Sequence, residues 1–138
     1  MKEFEALIGE WHGEGEIPLE PPMKISEEAK IERLGEFIVF SSKGEPAEVP
    51  DNVSIIGCDA ANGTYFQLYS DERGVCRVYE MSIGNGEWKL WRVGDPFSQR
   101  FTATFSDDGN TITGRWEIAE DGTNYTTDFD LIYHRVDA

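Results

Sequence analysis

Two histidines, His12 and His134, stand near opposite ends of a 138-residue chain and are its only imidazoles. Each lies in a stretch of period two, which gives each a defined face. His12 alternates with Trp11, and His134 with Tyr133 and Arg135. If Trp11 and Arg135 share one face of a closing strand pair, the two imidazoles share the other and meet at the seam. With an acid such as Glu10 nearby they could bind Zn²⁺ or Cu²⁺. Either could also ligate a haem iron. The plainer reading is a pair of surface or seam histidines.

A second set of candidates lies on strands that could line an interior. Asp128 and Asp130 share one face of the last apolar-periodic segment, while Phe129, Leu131 and Tyr133 share the other with Tyr125. One face must point inward, and period two does not say which. Inward aspartates need basic or hydroxyl partners, because a buried charge without one is very costly. Tyr65, Arg77, Tyr79, Trp91, Arg92 and Arg100 are placed to supply partners or walls. Such a cavity suits a ligand with a polar head and an apolar body. Trp88 and Trp91 differ in parity, so one faces in and the other out.

No catalytic signature accompanies these residues. Gly-x-Ser-x-Gly, His-Glu-x-x-His, a phosphate loop and a dinucleotide glycine pattern are all missing. Asp107-Asp108-Gly109-Asn110 lacks the alternating acids of a calcium loop and reads as a turn. The sequence therefore favours a binding protein over an enzyme.

The positioning elements are strands. Residues 3–8 carry Phe4, Leu7 and Ile8 at helical spacing and predict a short turn stopped by Gly9. Period two then takes over, predicting strands at about 10–19, 23–34, 36–43, 53–59, 64–70, 75–83, 87–93, 99–106, 111–118 and 125–136. Phe37-Ile38-Val39-Phe40 reads as a strand covered on both faces. Asn62-Gly63, Asp71 to Gly74, Gly84 to Gly86, Asp107 to Asn110 and Glu120 to Gly122 are hairpin turns, since Gly and Asn tolerate positive φ. Pro46 and Pro50 keep residues 44–52 out of a central strand and make them a loop over one barrel mouth. No helical crossover is long enough for parallel pairing. The expected fold is all-β: one antiparallel up-and-down barrel of about ten strands spanning residues 1–138, with an N-terminal helical turn plugging one end.

Composition fits a single globular domain. Hydrophobic residues make up 39% and charged residues 28%, enough apolar bulk to form a core. Four Trp, five Tyr and eight Phe exceed what a single-layer sheet needs and suit a barrel interior. The formal net charge of −15 repels phosphate backbones and anionic headgroups, so neither nucleic acid nor membrane is an expected partner. No segment approaches the ~20 apolar residues of a spanning helix or the pattern of a signal peptide. A cytoplasmic protein, monomer or homodimer, is expected. Cys58 and Cys76 lie on separate strands and read as reduced packing residues.

Gly9-Glu10-Trp11 on the first strand, with Arg135 ending the last, resembles the calycin superfamily of lipocalin and fatty-acid-binding barrels. The resemblance implies that Trp11 packs at the closed end with Arg135 across it, so Gly9, Trp11 and Arg135 are structural. Residues 105–117, with Asp121-Gly122 and 128–133, look like a family of bacterial lipocalin-like domains that carries no settled activity. The opening Leu7 to Glu16 is similar to the first strand of nitrobindins, ten-stranded barrels that bind haem b through a histidine on the last strand. Positions comparable to that histidine carry Asp128 and Asp130 here. The function these resemblances and the aromatic surplus imply is binding of one small apolar or amphipathic molecule inside the barrel. Haem or metal binding of nitrobindin type, and an isomerase- or cyclase-like barrel enzyme, are the alternatives.

Overall fold

The computed structural model describes residues 2–136. A 3₁₀ turn, Lys2–Ala6, precedes ten strands: β1 Gly9–Ile17, β2 Met23–Leu34, β3 Phe37–Glu45, β4 Asn52–Asp59, β5 Thr64–Asp71, β6 Cys76–Gly84, β7 Glu87–Arg92, β8 Ser98–Phe105, β9 Thr111–Ala119 and β10 Thr126–Arg135. Each strand pairs antiparallel with the next, and β1 also pairs with β10, closing the barrel. Closure leaves no unpaired edge to template aggregation. Turn chemistry acts at Asn85, the one described non-glycine residue with positive φ (54°), in the β6–β7 hairpin.

Strand alternation decides what enters the core. Trp11, Ala29, Ile31, Ile38, Phe40 and Ile56 are buried along one face of β1 to β4. The run Phe37 to Phe40 is not covered on both sides: Ile38 and Phe40 are buried, whereas Phe37 is 46% exposed. A barrel has one inside, so even a continuous apolar run is sorted by the pleat. On the outer face Ile55, Leu68 and Val78 follow one another as register partners and stay exposed.

The N-terminal turn closes one end. Phe4 and Leu7 are fully buried, and the Phe4 ring meets Tyr65 at 5.1 Å. Trp11 Nε1 donates to Leu7 O at 2.8 Å. From the last strand, the Arg135 guanidinium stacks 4.1 Å from the Trp11 ring and donates to Ala6 O, Gly109 O and Ile8 O. Gly9 makes room for it: a Cβ there would lie 2.5 Å from Arg135 Nη1. At the other end, residues 46–51 join β3 to β4, and Glu48, Val49 and Pro50 reach over the mouth.

Candidate functional site

Between the plugged end and the mouth the barrel holds a cavity of about 400 Å³. That lies within the ~300–1,000 Å³ of ordinary small-molecule sites. One wall is a chain of aromatic rings. Trp88 meets Phe101 at 5.2 Å, Phe101 meets Trp116 at 5.0 Å, Trp116 meets Tyr79 at 5.6 Å, and Tyr79 meets Tyr69 at 6.5 Å. Consecutive inward positions on β7, β8, β9, β6 and β5 supply these rings, which is why no local motif announces them. A larger, open trough of about 990 Å³ runs over the outer face of β1, β2, β9 and β10. Solvated charges such as Glu14, Lys24 and the Arg115–Asp130 pair line it, so ligand contacts there compete with water.

The opposite wall carries a half-buried acid. Glu27 of β2 and Tyr133 of β10 are both register partners of Gly13 on β1. The Tyr133 hydroxyl donates to Glu27 Oε1 across that glycine. A Cβ on Gly13 would fall 2.7 Å from Tyr133 Cε1 and 3.0 Å from Glu27 Cγ, so only glycine leaves the pair room to meet. Burial raises the Glu27 pKa against the opposing effects of Tyr133 and Ser42. Burial, and then Glu27, hold the Tyr133 phenol well above its usual value.

Other polar groups of the wall are partly matched. Gln67 Nε2 donates to Ser54 Oγ at 3.1 Å, and the Tyr79 hydroxyl donates to Gln99 Oε1 at 2.9 Å. Among the described residues, Gln67 Oε1 and Trp88 Nε1 of this wall are buried without a hydrogen-bond partner. Native structures leave few such atoms, and each calls for an explanation such as a water or ligand. At the mouth, Asp71 accepts from Tyr69 Oη at 2.8 Å and from Arg73 Nη2 at 2.6 Å. The Arg73 guanidinium holds the Asp71 carboxyl far below the usual range, while burial, then Asp71, raises Tyr69. Arg77 lies 5.4 Å from the Phe97 ring centroid.

The last strand combines both of its sequence-level faces. A β-bulge between Thr127 and Phe129 breaks the β9–β10 register, and Asp128 is its extra residue. Such a residue shifts the alternation by one. Asp128 therefore lines the cavity together with Phe129, Leu131 and Tyr133. Burial alone raises its pKa. Asp130 is corrected as a cavity candidate: it is exposed and accepts from Arg115 Nε at 2.7 Å, which holds its pKa down.

Arg77 and Tyr79 line the cavity with Asp128. Trp91 and Arg100 do not. They are register partners on the outer face, where Arg100 binds Glu117 at 2.8 Å and stacks 4.0 Å from Tyr125; Trp88 is the inward tryptophan. Tyr65 points inward but packs on Phe4 at the plugged end, outside the cavity wall. Of the cavity wall, sequence reasoning missed Glu27, Gln67, Tyr69, Phe101 and Trp116 as site residues. A polar residue on an otherwise apolar face, as at Glu27 and Gln67, was the available signal.

His12 and His134 are direct register partners across the β1–β10 seam. They sit on the outer face, where His12 hydrogen-bonds Glu28 and Glu14, and those bonds raise its pKa. Among the described residues no group of three or more His, Cys, Asp or Glu could hold a metal ion. Neither histidine reaches the cavity, so no imidazole is available there for haem iron. The cavity hydroxyls of Tyr69, Tyr79 and Tyr133 are already committed to Asp71, Gln99 and Glu27. The residues present do not fit a haem site. Cys58 and Cys76 are free thiols. No described helix is long and apolar enough to cross a membrane.

The chain has the fold of a known barrel. It superposes on the crystal structure of Rv2717c from M. tuberculosis with a TM-score of 0.71, covering 98% of this chain and 96% of that one at 13% sequence identity. At that identity the likeness concerns architecture alone. No protein-family model matches the chain, and no curated protein matches it in sequence.

Proposed function

We propose that this protein, a barrel of calycin type, binds one small, largely apolar molecule with a polar group inside the barrel. The observation that carries this reading is the cavity of about 400 Å³, walled by aromatic rings and holding buried polar atoms without partners. A cavity built only for packing would be filled, because interiors pack to crystal-like density. Apolar surface shed by a ligand there drives binding, and the unmet polar atoms orient it.

The test uses N-phenyl-1-naphthylamine, a dye that is neutral at pH 7.5 and emits strongly in apolar surroundings. Saturable enhancement at one dye per chain, with quenching of tryptophan emission from Trp88 and Trp116, is the expected result. No enhancement, together with a crystal structure showing the cavity filled by repacked side chains, would refute the reading.

A further inference from the structure

Resting on that ligand-binding reading, we infer that the cavity selects a small organic cation: a protonated amine whose apolar body lies on the aromatic wall and whose ammonium meets Glu27. The Glu27 carboxyl lines the cavity, with Asp128 further along β10 on the same wall, and among the described residues neither has a cationic partner. Loss of water makes an ionised carboxylate there costly unless it is paired. Gln67, buried to 6% exposure, adds an acceptor oxygen with no donor. An ammonium supplies three N–H donors and one positive charge.

The walls suit the rest of such a ligand. Tyr79, Trp88, Phe101 and Trp116 present π faces and edges around the cavity, and desolvated cations are attracted to aromatic faces. The net charge of −15 draws cations towards the protein and repels anions. Two guanidiniums also reach the cavity, and of these only Arg73 has an acid partner among the described residues. Arg73 is bound to Asp71, and Arg77 stacks near Phe97. Arg77 stands on β6, four strands round the barrel from both β2 and β10, so the acids are on the far wall.

Amine binding is linked to protons. The groups facing Glu27 are Tyr133 of β10 and Ser42 of β3, and Gly13 of β1 lies opposite; none is charged. An arriving ammonium requires the Glu27 carboxyl to ionise, so binding releases a proton wherever free Glu27 still holds one. Affinity for the cation then rises with pH until the amine itself loses its proton.

Isothermal titration with three probes sharing one indole body tests the inference: tryptamine (cation), tryptophol (neutral) and indole-3-propionate (anion). The expected result is tryptamine binding at least tenfold tighter than tryptophol, and indole-3-propionate weaker than both. In two buffers of different ionisation enthalpy, the heats should differ by the proton released. Glu27→Gln, which keeps an acceptor for Tyr133, should cut the preference for tryptamine over tryptophol at least fivefold. Asp128→Asn should cut it less. Tryptophol or indole-3-propionate binding as tightly as tryptamine would overturn the inference and leave the ligand-binding reading standing, as would a preference unchanged in both variants. Failure of all three probes and of the naphthylamine dye would overturn both.

Discussion

The Arg135 guanidinium lies 4.1 Å from the Trp11 ring centroid and joins the end of the last strand to the start of the first. Its donors also satisfy the Ala6 and Ile8 carbonyls around the N-terminal turn. One side chain thus bridges barrel seam and end plug. Arg135→Ala is expected to lower the unfolding free energy by about 2–4 kcal/mol, from lost charge-assisted hydrogen bonds and stacking. Arg135→Lys should recover less than half, because an ammonium lacks the planar fork. Urea denaturation checks both; an Arg135→Lys variant as stable as the parent would contradict the fork's role.

Gly13 is the window through which Tyr133 reaches Glu27. Gly13→Ala would place its methyl against both side chains and should cost about 1–3 kcal/mol by overpacking. The backbone there needs no special φ, so the penalty is steric. Gly13→Ala combined with Tyr133→Leu, which removes the ring, should restore part of the loss. Additive losses in that double variant would show that the ring is not what Gly13 accommodates.

Glu27 and Asp71 bend the pH dependence of stability in opposite directions. The folded Glu27 pKa is raised, so its contribution is fully present below the ordinary glutamate value of 4.5. It is lost as pH rises from there through the folded value. Glu27→Gln should therefore gain stability relative to the parent as pH goes from 4 to 8. The folded Asp71 pKa is depressed, so its contribution is present above the ordinary aspartate range and lost as pH falls through the folded value. Asp71→Asn should flatten the acid limb. Thermal melts across pH measure both, and a constant difference between Glu27→Gln and parent would refute the Glu27 assignment.

The bulge at Asp128 makes the two aspartates titrate apart. Asp128 should lose its proton above the normal aspartate range, because burial disfavours its charge, and Asp130 below it, because of Arg115. NMR titration of the side-chain carboxyl carbons reads both values. Asp130→Asn should alter stability by less than about 1 kcal/mol, as for other exposed ion pairs. Reversed titration order would place Asp130 inside and remove the bulge.

The strands were legible because period-two alternation and Gly/Asn turns are local properties of the chain. All ten expected strands agree with the observed ones to within two residues at each end. The polar loop over one mouth was equally local, since Pro46 and Pro50 exclude a central strand there. The aromatic surplus pointed to a barrel interior without saying which rings would meet.

Tertiary structure decided what depends on register across several strands. Parity alone set Trp88 against Trp91 with no sign, and closure of the barrel turned Trp88 inward. At the last strand a choice between aspartates and aromatics dissolved, because one extra residue at the bulge puts Asp128 with Phe129 and leaves Asp130 outside. Glu27, Gly13 and Tyr133 are 14 and 120 positions apart along the chain and meet only where β2, β1 and β10 lie side by side. The sequence determined the strands and the charge of this barrel. The fold alone determined its cavity, because inside and outside exist only once the sheet has closed.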